Sequence, residues 1–139
     1  LDQGPYHIGL QRFVRDLNRL YLAEPELWQS DYDPGGFNWI DCADNVNSVL
    51  SLARQTADRT RELIVILNLT PVPRFRYRVG LPRAGAWREV LNSDAAIYGG
   101  SNLGNLGGVI AGNYKTHNQP CSAEFTLPPL SIIAFKPTA

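Results

Sequence analysis

The sequence predicts a mainly β protein, an antiparallel β-sandwich with a Greek-key-like arrangement preceded by one amphipathic α-helix. Helical hydrophobic spacing is confined to a segment near the N-terminus, and from Phe37 onward apolar residues alternate with a period of two. Short strands separated by turns rich in proline, glycine and polar residues are typical of a sandwich. With 139 residues, 44% of them hydrophobic, the chain is long enough to bury a core.

The helix is predicted over residues 10–21. Arg12 and Asp16 on its polar face have the spacing of an ion pair. Pro25 ends it, because the residue before a proline is pushed out of helical dihedrals. The apolar stripe needs a partner, which is either the sandwich or a segment of chain upstream. Its members recur at i, i+3, i+4 and i+7, namely Leu10, Phe13, Val14, Leu17, Leu20 and Tyr21.

The strands show two patterns. Residues 76–81 and 122–127 alternate cleanly, which indicates half-buried antiparallel strands. Residues 63–67 and 131–135 are apolar on both faces and are therefore predicted at the centre of the sheet. Further strands are predicted at 48–53 and 87–91, with loops at 56–61, 72–75 and 83–85.

Charge and termini restrict the partners and the compartment. Lys plus Arg and Asp plus Glu both number 13, so the chain has no net positive charge to attract nucleic acid or an anionic membrane. The apolar runs are too short to span a bilayer. The chain begins at Leu1 without methionine or a signal-peptide pattern, so we expect a piece of a longer cytoplasmic protein.

Two further motifs fit a cytoplasmic chain. Cys42 and Cys121 could form a disulfide, but reduced thiols are the expected state in that compartment. Asn68 begins a glycosylation sequon inside an apolar run, and we interpret that match as coincidental.

Catalytic and metal-binding patterns are weak. Retaining glycosyl transfer needs two carboxyls about 5 Å apart across the sugar, whereas the near pairs here lie in turns, where Asp is favoured for backbone hydrogen bonds. His117 lies four residues before Cys121 but lacks the second pair of a structural zinc site. We expect no catalytic residue, no metal and no cofactor. The carboxylate pairs are Asp31 with Asp33, Asp41 with Asp44, and Asp58 with Glu62.

Glycines and aromatic residues give two further candidate ligand-binding features. The glycine-rich segment 98–108 fits no phosphate-binding motif and is predicted to be mainly connective, although a ligand contact stays open. Trp28, Trp39, Trp87 and Tyr98 have rings that could stack on sugars. We expect Trp87 to lie in the core and favour packing for Trp39 as well.

Six segments of the chain follow one another as a recognisable series of motifs. They are LQRFVRDLNRLY at 10–21, DYDPGGFNWID at 31–41, LNLTPVPR at 67–74, WREVLN from 87, YGGSN at 98–102 and LPPL at 127–130. In this order they resemble the C-terminal region of 1,4-α-glucan (glycogen) branching enzymes of the α-amylase superfamily. Leu69 stands where an aromatic residue is usual, and Leu106 interrupts a glycine run.

The resemblance implies a division of the chain and a place in a larger enzyme. Residues 1–29 would contribute the last helix of the (β/α)₈ barrel, 30–47 the connection, and 48–139 the C-terminal β-domain. The parent enzyme would cleave an α-1,4-glucan, hold the glycosyl part covalently and transfer it to a 6-hydroxyl as an α-1,6 branch. Its catalytic carboxylates would lie upstream, so no position here takes over a catalytic role.

Three roles are consistent with this resemblance. The first is a structural domain whose partner is the catalytic barrel of the same polypeptide and whose α-glucan is bound by the parent enzyme. The second is an accessory module that binds α-glucan itself, with Trp39, Tyr98 and Asn102 as weak candidate contacts. The third is a protein-interaction module unrelated to sugar.

Overall fold

The structure, a computed structural model, describes residues 4–138. Residues 1–3 and 139, which belong to the two outer parts of the predicted division, lie outside the described residues. The helices and strands are α1 (Pro5–Ala23), β1 (Phe37–Asp44), β2 (Val49–Gln55), β3 (Glu62–Asn68), β4 (Arg74–Leu81), β5 (Gly85–Asn92), β6 (Gly108–Ala111), β7 (Cys121–Leu127) and β8 (Ser131–Pro137). Short 3₁₀ turns occur at Pro25–Leu27, Pro34–Gly36 and Ala96–Tyr98.

Two antiparallel sheets form the sandwich. Six strands pair in the order β1-β2-β3-β8-β5-β6, and β4 pairs with β7 in a second, two-stranded sheet. Phe125 on β7 and Phe135 on β8 join them, with ring centroids 5.0 Å apart in an edge-to-face contact. Trp87 is buried in the same core, with 1% of its surface exposed. The predicted fold class and the predicted core position of Trp87 are confirmed.

The central strands β3 and β8 are apolar on both faces because both faces are covered. Ile64 and Ile66 belong to the core between the two sheets. Leu63 and Val65 belong to a second cluster on the opposite face, where Phe13 and Leu20 of α1 also pack. The six-stranded sheet therefore has the small sheet on one side and α1 on the other.

Boundaries differ from the sequence-based predictions in several places. The helix starts at Pro5, since a proline in the first turn loses no intrahelical bond, and it ends before Pro25 as predicted. Strand β6 was missed because it is short and follows the glycine-rich segment. The loops predicted at 72–75 and 83–85 each end in the first residues of a strand. Strand β1 lies in the segment 30–47 that we predicted to connect the two parts.

The predicted ion pair between Arg12 and Asp16 is wrong. Asp16 pairs instead with two other arginines, and its Oδ1 lies 3.3 Å from Arg15 Nε and 3.4 Å from Arg19 Nη1. Its other oxygen, Oδ2, accepts the Tyr98 hydroxyl at 3.0 Å. That bond orients the carboxylate, and Oδ1 is left for the two arginines.

The turn carboxylates are used locally, as the sequence indicated. Asp33 and Asp58 accept backbone N–H groups within their own turns, and Asp44, the last residue of β1, accepts that of Asn47 in the turn that follows. Asp41 lies within β1 rather than in a turn, at an irregularity of its pairing with β2, and accepts the N–H of Ala43. Glu62 instead binds Arg83 through an ion pair. Each of these groups has a structural partner that accounts for it.

The sequon asparagine is part of the interior. Asn68 is 1% exposed, and its Nδ2 donates to the carbonyls of Val72 and Pro128, both at 2.9 Å. An amide buried in this way is closed to a glycan. Cys42 and Cys121 are free thiols. No helix in residues 4–138 combines the length and the apolar character needed to cross a membrane.

Candidate functional site: an apolar helix face and the groove beside it

Helix α1 docks on the sheet through a narrow stripe. Gly9 faces the backbone of Tyr98 so closely that a Cβ atom there would lie 2.2 Å from the Tyr98 carbonyl oxygen. One helical turn later, the Phe13 ring meets the Tyr98 ring edge-on at 5.2 Å. Leu20 packs on the cluster around Leu63. The sequence thus places glycine where helix and loop approach most closely.

A buried ion cluster fixes the exit of the helix. Glu24, which is 6% exposed, accepts a hydrogen bond from Lys136 Nζ at 2.6 Å and another from Arg61 Nη2 at 2.9 Å. Glu26 is 2% exposed, and its Oε2 lies 3.4 Å from Arg61 Nε. Arg54 donates to the carbonyls of Glu26 and Leu27. Burying carboxylates is costly unless they are paired, so this arrangement specifies the angle at which the chain leaves α1.

A second apolar stripe of α1 faces outward. The stripe has four large apolar side chains, and burial of each would contribute roughly 1.5–3 kcal/mol to stability. Their exposure is therefore unfavourable in this chain alone. A contiguous exposed apolar surface of this kind marks an interface. The outer stripe consists of Leu10 (60% exposed), Val14 (47%), Leu17 (38%) and Tyr21 (45%).

An open groove, here called the Leu130 groove, lies beside the helix. Phe13 belongs both to this groove and to the docked stripe, so α1 forms one of its sides. Leu69 and Leu130 at its rim are 54% and 69% exposed. Its lining is mostly apolar, consisting of Phe13, Leu67, Leu69, Leu130 and Ile132 with the polar residues Asn68, Ser93 and Ser131.

Trp39 lies on the edge strand β1. Its ring packs edge-on against Phe37 at 5.0 Å, yet half of its surface is exposed. In the strand register it opposes Leu52, which opposes Val65. Paired residues share a face of a sheet, so Trp39 is on the face that carries α1.

Tyr98 and Asn102 take part in the fold of the glycine-rich loop. Tyr98 is half-buried against α1, and burial together with its bond to Asp16 raises the pKa of its hydroxyl. Asn102 adopts a left-handed conformation, with φ of 65°, and its Oδ1 accepts the Ala96 N–H. Asp94 binds Ser101 and Leu103 within the same loop. These contacts agree with the connective role predicted for the loop.

The three predicted glucan contacts do not converge. Tyr98 and Asn102 follow β5, whereas Trp39 lies on β1, and four strand spacings of about 4.8 Å separate these strands, roughly 19 Å in all. One sugar ring cannot touch all three.

His117 and Cys121 have separate partners. His117 Nδ1 accepts the Gly80 N–H at 3.2 Å, and its Nε2 lies 3.4 Å from an Asp41 oxygen. The Cys121 thiol lies 3.5 Å from Asn113 Oδ1. Within residues 4–138, no group of three His, Cys, Asp or Glu side chains is arranged to hold a metal ion.

Comparison with known proteins identifies the family. The family described as "Alpha amylase, C-terminal all-beta domain" matches residues 39–138. The chain belongs to this family. A solved structure of the alpha-amylase from H. orenii has the same fold, with a TM-score of 0.55 at 17% identity over 91% of this chain and 20% of that one.

This member of the alpha-amylase C-terminal domain family is similar to part of several longer proteins. Proteins named 1,4-alpha-glucan branching enzyme GlgB are 51% identical over 99% of the chain in Cereibacter sphaeroides and 53% identical over 99% in Burkholderia vietnamiensis. The chain spans 19% of the length of each. The resemblance to branching enzymes found in the sequence is confirmed.

Sequence reasoning missed the Leu130 groove. The turn at 127–130 matched the family, but the pattern does not reveal that Leu130 stands beside Leu69 and Phe13. The one signal in the sequence was Leu69, which departs from the family pattern that the chain resembles. The outer stripe was found, because its residues belong to the predicted apolar face of the helix.

Proposed function

We propose that this chain is the C-terminal, non-catalytic domain of a 1,4-α-glucan branching enzyme, which transfers glucan segments to 6-hydroxyls to form α-1,6 branches. The observation that carries the proposal is the identity of about one half to the named branching enzymes over nearly the whole chain, α1 included. Because the chain spans about a fifth of those proteins, the reaction belongs to the rest of the polypeptide.

In this proposal the domain supports the catalytic barrel. The outer stripe of α1 packs on the barrel, and the ion cluster around Glu24 holds the helix at a fixed angle to the sandwich. Burial of Leu10 and Leu17 against apolar barrel residues would offset the unfavourable exposure described above. Residues 1–29, 30–47 and 48–139 are the proposed barrel helix, connection and β-domain.

The activity is tested on the longer polypeptide that carries this chain. Incubated with amylose, it is expected to create α-1,6 linkages, counted by their anomeric proton signal and by the chains released on enzymatic debranching. The 139-residue chain alone is expected to create none. Hydrolysis of amylose to free reducing ends without new α-1,6 linkages would reject the branching assignment.

The role of the outer stripe is tested by matched substitutions in the longer polypeptide. Leu17→Asp places a charge in the proposed barrel contact, whereas Asn18→Asp places the same charge on the exposed polar face of α1. We expect Leu17→Asp to lower the thermal unfolding midpoint by several degrees and Asn18→Asp to leave it nearly unchanged. Equal effects of the two substitutions would contradict the barrel contact.

A second candidate function is glucan binding by the domain itself. The half-exposed Trp39 ring, held edge-on by Phe37, favours this candidate because such a ring can stack on a sugar face. Tyr98 and Asn102 are weaker candidates, since the fold already uses their polar atoms. Amide shift changes around Trp39 on titration with a long malto-oligosaccharide would support it, and a flat response at millimolar sugar would reject it.

We also propose that the protein works in the cytoplasm. Cys42 and Cys121 are free thiols, and the glutathione and thioredoxin systems of that compartment keep thiols reduced. Fractionation of cells expressing the full polypeptide tests this, and recovery with the secreted proteins would reject it.

A further inference from the structure

Leu130 combines two features that are each unfavourable in the chain as it stands. Its φ is +46°, in the left-handed region that suits glycine and asparagine and is costly for leucine. Its side chain is also 69% exposed at the rim of the Leu130 groove. Its backbone N–H donates to the Thr70 carbonyl at 2.8 Å, a bond that asparagine or glycine would make equally well. The turn alone therefore gives no reason for a leucine.

We infer that Leu130 and the groove beside it form a docking site for an apolar segment of the remaining, catalytic part of the same polypeptide. The inference rests on the part of the proposed function that makes this chain one portion of a larger protein. Contact with an apolar partner offsets both the exposure of the side chain and the backbone strain.

The position of the groove supports this occupant. Phe13 lines the groove and lies three residues after Leu10 and four before Leu17 on α1, a spacing that makes it their neighbour on the helix surface. The groove therefore borders the outer stripe, which is the proposed barrel contact. The related branching enzymes are much longer than this chain, which spans 17–19% of them, so most of such a polypeptide is available to fill the groove. Leu69, 54% exposed, extends the same apolar rim.

Leu106 provides a matched control. It is also a leucine in the left-handed region, with φ of +52°, and it is fully exposed. It lies outside the groove, in the tight turn before Gly107, and its side chain meets no comparable apolar neighbourhood in the described residues. If backbone strain alone explained Leu130, the two leucines would behave alike.

The test uses the longer polypeptide in a Cys42→Ser background, with thiol labelling read at the peptide level by mass spectrometry. Leu106→Cys is expected to react with a maleimide like a free thiol. Leu130→Cys is expected to react at least roughly tenfold more slowly, because labelling needs local opening of the interface. The protection should depend neither on protein concentration nor on added malto-oligosaccharide. Equal labelling rates would overturn the inference.

Other occupants give distinct results, each of which overturns the inference. Protection that is lost on dilution indicates a second copy of the protein, and protection that appears when malto-oligosaccharide is added indicates a glucan. Leu69→Cys, at a position without a positive φ, repeats the measurement if Leu130→Cys does not fold. Leu130→Asn should also lower the unfolding midpoint of the longer protein by a few degrees, whereas Leu106→Asn should not.

Branching activity is measured on the same samples. An active enzyme with unprotected Leu130→Cys would overturn the groove inference alone. An inactive polypeptide with protected Leu130→Cys would overturn the branching assignment alone.

Discussion

Lys136 Nζ donates to both carboxylate oxygens of Glu24, at 2.6 and 2.8 Å, across a sequence separation of 112 residues. The bond joins β8, in the middle of the sheet, to the residue that follows α1. Arg61, just before β3, binds the same carboxylate. The orientation of the helix on the sandwich is thus set by a charge cluster as well as by apolar packing.

Replacing Lys136 by methionine should therefore destabilise the domain. The Glu24 side chain is 8% exposed and keeps the more exposed Arg61 as its remaining partner. Removing one member of a buried pair leaves an incompletely compensated charge, and we expect a loss of about 2–4 kcal/mol in urea unfolding.

The double variant Glu24→Gln, Lys136→Met supplies the control. It removes the buried charge with its partner, so it should recover much of the stability lost in Lys136→Met. Strictly additive effects of the two substitutions would show that the pair is not coupled.

Gly9→Ala should weaken the docking of α1. Alanine is the better helix former by about 1 kcal/mol, so propensity alone predicts stabilisation. The new methyl group would, however, lie 2.2 Å from the Tyr98 carbonyl oxygen, and a backbone atom cannot move aside cheaply. We expect a net loss of about 2 kcal/mol and weaker nuclear Overhauser contacts between the Phe13 and Tyr98 rings. Asn18→Ala on the exposed face should be neutral or slightly stabilising, and a stabilised Gly9→Ala variant would refute the close approach.

The hydrogen bond between Tyr98 and Asp16 should make helix docking dependent on pH at both extremes. The bond from Tyr98, followed by the nearby arginines, lowers the pKa of Asp16, so its contribution is present above the unfolded value near 4 and is lost as the pH falls through the folded pKa. Burial and the same bond raise the pKa of Tyr98, so that contribution is present below about 10 and is lost as the pH rises through its folded pKa.

Carbon-13 chemical shifts of the Asp16 carboxyl group, followed from pH 2 to 7, measure this coupling. In Tyr98→Phe the Asp16 titration midpoint should move upward, toward the ordinary aspartate value. An unchanged midpoint would mean that the arginines alone lower the pKa of Asp16.

The sequence predicted the parts of the fold that rest on local periodicity. Strands β3 and β8 were placed at the centre because their residues are apolar on both faces, and the outer stripe of α1 followed from helical spacing. The burial of Glu24 and Glu26 was not predicted, because the free-energy cost of burying these carboxylates is offset only by their tertiary partners Arg61 and Lys136. The Leu130 groove was missed for a similar reason, since four segments that are far apart in the sequence meet to form it.

Asn68 should matter for the rim of that groove as well as for stability. Its Nδ2 donates to the carbonyls of Val72 and Pro128, and its Oδ1 accepts from Thr70, so one amide holds the loop carrying Leu69 and the turn before Leu130. Asn68→Ala leaves these buried groups unpaired and should cost about 3 kcal/mol in urea unfolding. Asn68→Asp retains the acceptor but points a carboxylate at two carbonyls, so at pH 7 it should be at least as destabilising. Asn38→Ala, at an exposed position, should change stability by less than about 0.5 kcal/mol. If Asn68→Asp were the milder substitution, the two donated hydrogen bonds could not be what holds the rim.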